Sequence, residues 1–195
     1  MGVFEWGSLM TEWNERLFRC HRVVDELPSE VRRSGWLGYP PATEEQIRST
    51  EARLGVALPP SYREFLKVAN GWRTLGRFTG QIWSTENVQW FRTRNQSAID
   101  DWLLGALANG PAIIPDDEYL VYGGAQHSYN VRFEYLPSTL EVSEMVESQV
   151  YLLNPNVMTA EGEWEAWFLA PWLWGAERYR SFWDLMKGEF ELFEC

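Results

Sequence analysis

The sequence predicts an α+β fold, and three observations support it. Apolar residues recur at helical spacing through roughly the first 70 residues. Segments rich in β-branched and aromatic residues follow in the second half, separated by clusters of Gly, Pro, Asn and Ser. A stripe of aromatic residues at helical spacing closes the sequence. Helices first, then strands, then a closing helix are typical of α+β domains.

The first predicted helix covers residues 9–27, with Ser8 placed to cap it and Pro28 to end it. Its apolar stripe repeats every three or four residues and consists of Leu9, Trp13, Leu17, Cys20, Val24 and Leu27. Cys20 lies on this stripe, where we expect a buried and unreactive thiol. The second cysteine, Cys195, stands at the other end of the sequence. Two cysteines so placed indicate neither a disulfide framework nor a zinc site, and they favour a reducing compartment.

Two further helices carry clear start and stop signals. Thr43 and Gln46 form a capping box, in which the hydroxyl and the amide satisfy backbone N–H groups reciprocally. Gly55 is placed for the left-handed residue that ends this second helix. Pro59–Pro60 then suits the entry of a third helix, because N–H groups in a first turn lack partners anyway. Asn70–Gly71 ends it.

Short strands are predicted at 82–83 and 88–91, separated by turn residues. A fourth helix follows, with Ser97 as its cap and Asn109–Gly110 as its end. Its apolar face contains Ile99, Trp102, Leu103, Ala106 and Leu107.

The second half predicts four more strands and a closing helix. The strands cover residues 118–122, 130–136, 150–153 and 164–169. The stripe of the closing helix consists of Tyr179, Phe182, Trp183, Met186, Phe190 and Phe193. A sheet or other helices must cover this stripe.

Seven sequence blocks occur in the order and at the spacing of one known family. They are PATEEQI, EARLG, LPPSYREFL and NGW in the first half, then LLNP, GEWEAW and RYRSFW. These blocks, which span about residue 36 to the C-terminus, resemble the SUKH superfamily, the group of the fungal Smi/Knr cell-wall regulators. The resemblance implies helices packed on a central, largely antiparallel sheet. It places a SUKH-like domain at 34–195 and leaves 1–33 as an extra N-terminal helix packed on that domain, in one folding unit.

The charge of the chain narrows the choice of partner. Seventeen basic and 28 acidic residues give a net charge of -11, which repels nucleic acid and anionic lipid and favours encounter with a basic protein. The first residues lack the basic and apolar regions of a signal peptide, and no apolar run is long enough to span a membrane. We therefore expect a cytoplasmic protein.

Aromatic and acidic clusters supply the candidate partner-binding residues. Asp116, Asp117 and Glu118 form the densest acidic cluster; adjacent carboxylates rarely converge on one cation, so partner contact is the preferred interpretation over metal binding. Trp172 and Trp174 stand within three consecutive residues of a loop, where both indoles cannot easily be buried. Tryptophan is favoured at the centre of interfaces. The remaining two candidates are Trp83 and Trp90.

No catalytic, metal-binding or cofactor-binding residues are predicted. The two histidines, His21 and His127, lie in no metal spacing and beside no nucleophile motif. Glu163 and Glu165 flank Trp164 and could be imagined as the acid/base pair of a glycosidase. Strand alternation puts both carboxylates on one face, so a half-exposed strand is the preferred interpretation.

The resemblance implies protein binding, and for bacterial members a common role as immunity proteins against polymorphic toxins, which are often nucleases or deaminases. Our leading hypothesis is an immunity protein that occludes the active site of a basic toxin domain. A regulatory scaffold of the Smi/Knr type is the alternative. A carbohydrate-binding module is suggested only by the twelve tryptophans, and an enzyme is the weakest possibility.

Overall fold

The computed structural model describes residues 4–75, 80–108 and 114–195. The sequence prediction that Asn109–Gly110 ends the fourth helix lies outside these ranges.

The N-terminal segment forms three helices, where the sequence predicted one. They are α1 (Trp6–Arg19), α2 (His21–Glu26) and α3 (Ser29–Ser34). Cys20 interrupts the first two because its backbone is extended, with φ −89° and ψ 104°. Ser8 is not a cap, since α1 already begins at Trp6. Five residues of the predicted stripe pack in or against the core, namely Leu9, Trp13, Leu17, Cys20 and Leu27, but Val23 rather than Val24 is the buried residue of α2.

The next two helices match their predicted signals. In α4 (Glu44–Leu54), both hydrogen bonds of the Thr43 capping box are present, and Gly55 is left-handed with φ 74°. Helix α5 (Pro60–Val68) begins at the second proline. These boundaries follow from local chemistry, which explains why sequence alone found them.

Within the described residues, the sheet has five strands in the order β1-β2-β3-β4-β5, and each strand is antiparallel to its neighbours. The strands are β1 (Gln89–Trp90), β2 (Leu140–Glu141), β3 (Val150–Met158), β4 (Trp164–Ala170) and β5 (Gly175–Tyr179). Sequence predicted β3 and β4 and missed β2 and β5. Strand β5 contains Tyr179, which the sequence had placed in the closing helix.

Two predicted strands are wrong. Residues 118–122 contain the end of a short helix, α8 (Asp116–Tyr119), because Pro115 and three acidic side chains suit the first turn of a helix. Residues 130–136 lead into a 3₁₀ helix at Phe133–Ser138. Val131 is buried there, but the alternating apolar residues do not pair with another strand.

The remaining helices are α6 (Phe91–Arg94), α7 (Gln96–Ala108) and α9 (Phe182–Leu192). Helix α6 replaces the end of the strand predicted at 88–91, and residue 82 forms isolated bridges rather than a strand. Ser97 lies inside α7 and is not its cap.

Both faces of the sheet are buried. Trp164, Ala166 and Phe168 of β4 belong to the larger core, which also contains residues of α1, α4, α5 and α9. Trp167 and Leu169 of the same strand belong to a second core under α7 and the 3₁₀ helix. The predicted half-exposed strand is therefore wrong, because helical layers cover the strand on both sides. The α+β class, with helices packed on an antiparallel sheet, is confirmed.

The two cysteines are joined, contrary to the sequence prediction of a free Cys20. Cys20 and Cys195 form a disulfide with their Cα atoms 5.4 Å apart. Arg16 of α1 also holds this end of the chain: its guanidinium donates to the carbonyl oxygens of Phe190 at 2.9 Å and Phe193 at 2.6 Å. A sequence separation of 175 residues gave no sign of this proximity. Among the described residues, no helix is long and apolar enough to cross a membrane.

Candidate partner-binding surface

The structure divides the seven candidate residues between the two edges of the sheet. Trp83 and Trp90 lie at the β1 edge, whereas the other five lie around β5 at the opposite edge. A single compact interface therefore does not bring all seven together.

The tryptophans at the β1 edge are half-buried and already have partners. Both pack against the larger core. The indole N–H of Trp90 donates to the carbonyl of Leu54 at 3.2 Å. Arg94 lies 5.2 Å from the ring centre of Trp83, and Arg92 lies 5.9 Å from that of Trp90. These cations occupy faces of the two rings that a partner would otherwise use.

The tryptophans at the β5 edge are exposed, as the sequence predicted for this loop. Trp172 exposes 47% of its surface and Trp174 78%. Trp174 has a left-handed backbone, with φ 56° and ψ 23°. This conformation is rare for a bulky residue and costs on the order of 1 kcal/mol or more, which the surrounding structure must offset.

The loop that carries these indoles is fixed by Ser128. The Ser128 hydroxyl donates to the carbonyl of Leu173 at 2.7 Å, and its own carbonyl accepts from the N–H of Ala176 at 2.9 Å. A side chain at Gly175 would clash with the Ser128 carbonyl, so the two segments can approach only because this residue is glycine. The loop that carries the exposed indoles is therefore held in place by its hydrogen bonds to Ser128.

The acidic cluster forms the first turn of α8, with all three side chains exposed. Asp116 is engaged by Arg132 at 2.6 Å. Asp117 and Glu118 instead line a cleft of about 420 Å³, together with Val121, Ala125, His127, Tyr129 and Asn130. The cleft therefore combines two carboxylates with an exposed aromatic ring.

Residues 126–129 connect this cleft to the indole loop. The Gln126 side chain pairs with the backbone of Arg178 in β5, accepting from its N–H at 2.8 Å and donating to its carbonyl at 3.2 Å. With Ser128, it covers the outer edge of β5. His127 and Tyr129 stack with their ring centres 5.1 Å apart, and Tyr129 is 61% exposed.

A buried ionic network positions the segment from α8 onward. Glu165 accepts hydrogen bonds from Tyr119 at 2.7 Å and Tyr122 at 3.0 Å, and its carboxylate lies 3.2 Å from the guanidinium of Arg178. Arg178 also donates to the carbonyls of Tyr119 and Val121. Burial, followed by the nearby Glu165 charge, raises the pKa values of both tyrosines, so they stay protonated donors. The network is structural, since each Glu165 oxygen has protein partners.

Glu163 and Glu165 do not form a paired site, and the prediction that they share a face is wrong. Glu163 binds the start of α5, accepting from the Ser61 N–H at 2.7 Å and from its hydroxyl at 2.5 Å. Burial raises the pKa of Glu163. Glu163 precedes the first residue of β4, so strand alternation does not govern it. The two carboxylates contact different elements, which leaves no shared substrate space between them.

A second cleft, of about 250 Å³, is lined in part by Tyr122. Its lining includes Leu120, Met158 and Arg180, whose guanidinium stands 5.2 Å from the Tyr122 ring centre. Glu165 also lines this cleft, but its carboxylate is paired with Arg178, so a basic group would meet the Arg180 cation and no unpaired carboxylate.

The geometry suits recognition of a protein surface. No group of three or more metal-ligating side chains with the spacing for an ion occurs among the described residues. Sequence reasoning missed His127 and Tyr129 as members of the β5-edge surface. Their position depends on contacts of residues 126–128 with β5, and a local pattern contains no signal for these contacts.

Two comparisons with known proteins bear on identity. The model of a protein family described as the SMI1 / KNR4 family (SUKH-1) matches residues 41–187. A comparison with curated proteins found no match.

Proposed function

The chain belongs to the SMI1 / KNR4 family (SUKH-1), and we propose on that basis that it is an immunity protein. It binds a cognate toxin domain, such as a nuclease or a deaminase, and covers the active site of that toxin. Family membership supports an immunity or a regulatory role, and both act through protein binding rather than catalysis.

One structural observation carries the choice of a binding role. Trp172 and Trp174 are exposed on a loop that Ser128 joins to residues 127–130, which line a cleft with Asp117 and Glu118. Rigid, exposed aromatic residues make strong interface anchors, because little side-chain freedom is lost on binding. Toxins that act on nucleic acid present basic substrate-binding surfaces, and the net charge of -11 steers such a surface toward this chain.

The proposed site of action is the cytoplasm, where a toxin would meet its target. The thiol–disulfide balance of that compartment keeps cysteines reduced. The Arg16 contacts with Phe190 and Phe193 would then hold the C-terminal residues on α1 without the disulfide.

A regulatory scaffold is the second candidate, and the division of the candidate residues favours it. Trp83 and Trp90 lie at the β1 edge, and the other candidate residues lie at the opposite edge of the sheet, around β5. Candidate residues at two opposite edges would suit a protein that binds more than one partner, although Arg94 and Arg92 already cover one face of each indole at the β1 edge.

Co-expression tests the leading proposal. A toxic domain sought among the genes adjacent to this one is induced in a sensitive host, with and without the full chain. An immunity protein restores growth, and it does so for that domain but not for a toxic domain from an unrelated system. Failure to restore growth while the chain accumulates in folded form contradicts the proposal. Stable recovery of several non-toxic partners instead would favour the scaffold.

A further inference from the structure

The β5-edge surface, defined by Asp117, Glu118, His127, Tyr129, Trp172 and Trp174, has the chemistry of a receptor for a basic peptide segment. We propose that it docks one such segment of the partner protein. An arginine side chain of that segment enters the cleft, and apolar residues next to this arginine contact the indoles of Trp172 and Trp174. This inference rests on the proposed function, because it assumes a protein partner, and it adds the position and chemistry of the contact.

The cleft is built to receive a planar cation. Within the described part of the chain, Asp117 and Glu118 take part in no ion pair, whereas their neighbour Asp116 is engaged by Arg132. The ring of Tyr129 is exposed at the same cleft and is backed by His127. A guanidinium can lie against an aromatic face and donate to carboxylates at once, which an ammonium does less well.

Charge complementarity selects a basic occupant over a second copy of this chain. Each copy carries a net charge of -11, so two copies would place like charges against each other at this surface. The second cleft is lined by Arg180 and by Glu165, whose carboxylate is already paired with Arg178, so it offers a basic side chain no unpaired carboxylate. The basic segment is therefore expected at the cleft that contains Asp117 and Glu118.

The supports of the surface favour binding without rearrangement. Ser128 braces the indole loop, the Gln126 side chain holds the connecting segment on β5, and Glu165 with Arg178 holds the segment after α8. The left-handed backbone of Trp174 is a local cost in the folded chain. Backbone strain of this kind clusters at functional sites, and here it leaves the Trp174 indole exposed on the loop that Ser128 joins to the cleft-lining segment.

An acetylated and amidated hexa-arginine peptide provides a direct probe. Its binding to the full chain is followed in ¹⁵N-correlated NMR spectra at low salt, using the indole N–H signals of the tryptophans. The Trp174 signal is assigned by its loss in Trp174→Ala. We expect the peptide to shift the signals of Trp174 and of the backbone around Tyr129, and to leave those of Trp83 and Trp90 in place.

Matched variants separate a specific site from general attraction to an acidic protein. The Asp117→Asn/Glu118→Gln variant and the Asp100→Asn/Asp101→Asn variant each remove two exposed negative charges, the latter on α7. The first should weaken peptide binding about tenfold and the second less than twofold, because only Asp117 and Glu118 line the cleft and screening limits the effect of charges outside it. Trp174→Ala should also weaken binding, whereas Leu104→Ala, which removes another exposed apolar side chain, should not.

Equal weakening by the two charge variants, or no peptide binding at all, overturns the proposal. Self-association of the wild-type chain that Trp174→Ala abolishes would assign the surface to a second copy and overturn it too. The experiment uses no toxin, so its failure is distinguishable from failure of the immunity proposal. Growth rescue without peptide binding would leave immunity standing and place the interface elsewhere.

Discussion

Glu165→Ala tests how much the buried network that positions the segment after α8 contributes to stability. Glu165 is 1% exposed and Arg178 is fully buried, and the carboxylate also accepts from Tyr119, Asn154 and Trp167. Removing it leaves Arg178 as an unpaired buried charge, which costs about 3–5 kcal/mol. Orphaned polar groups add to this cost, so a loss of about 5 kcal/mol is expected from a total that is typically 5–15 kcal/mol.

Urea denaturation followed by tryptophan fluorescence and circular dichroism measures this loss. Glu12→Ala removes an exposed carboxylate of α1 and should change the free energy of unfolding by less than about 0.5 kcal/mol. The double variant Glu165→Ala/Arg178→Met should be less destabilised than the sum of its single variants, because it removes both charges of the pair. A loss below about 1 kcal/mol in Glu165→Ala would refute the argument, because even an exposed ion pair can contribute that much.

Three further predictions concern stability. Because the Cys20–Cys195 disulfide closes a loop over a separation of 175 residues, its reduction should lower the free energy of unfolding by up to about 5 kcal/mol. Reductant should not change the stability of Cys195→Ser, and equal stability of the oxidised and reduced wild-type protein would contradict this prediction. Because burial raises the pKa of Glu163 above 4.5, the folded chain holds a proton that the unfolded chain loses, so stability should fall as pH rises from 4.5 through the folded pKa. Glu163→Gln should reduce this slope in denaturation measured across that range, and identical slopes would count against it. Thr43→Ala should cost about 1 kcal/mol in the same assay through loss of the capping box, whereas Thr11→Ala, in an exposed helical turn, should cost less than half of that.

Local chemistry explains which elements the sequence predicted. The capping box at Thr43, the proline at the start of α5 and the left-handed Gly55 act within a few residues, so they could be recognised without tertiary information. Strand β5 could not, because only its pairing with β4 makes residues 175–179 a strand. Segment 130–136 failed for the converse reason, since its alternation met no partner strand.

The candidate surface was predicted only in part. Composition and loop position were sufficient to indicate exposed indoles at Trp172 and Trp174, and the structure shows them exposed. The prediction could not tell that Trp83 and Trp90 lie at the other edge of the sheet. It also missed Tyr129, whose place beside the acidic cleft depends on residues 126–128 covering β5. Contacts distant in sequence decide all of these positions.

Titration of the toxin's own activity tests the central claim most directly. The purified domain of the toxin that the proposal requires, sought among the genes adjacent to this one, is assayed on its substrate while the full chain is added in increasing amounts. The account predicts complete inhibition at one equivalent, with nanomolar or tighter affinity, about 12 kcal/mol of binding free energy. It also predicts faster dissociation for Trp174→Ala and slower association at high salt. Toxin activity that persists above one equivalent of folded chain would contradict the account.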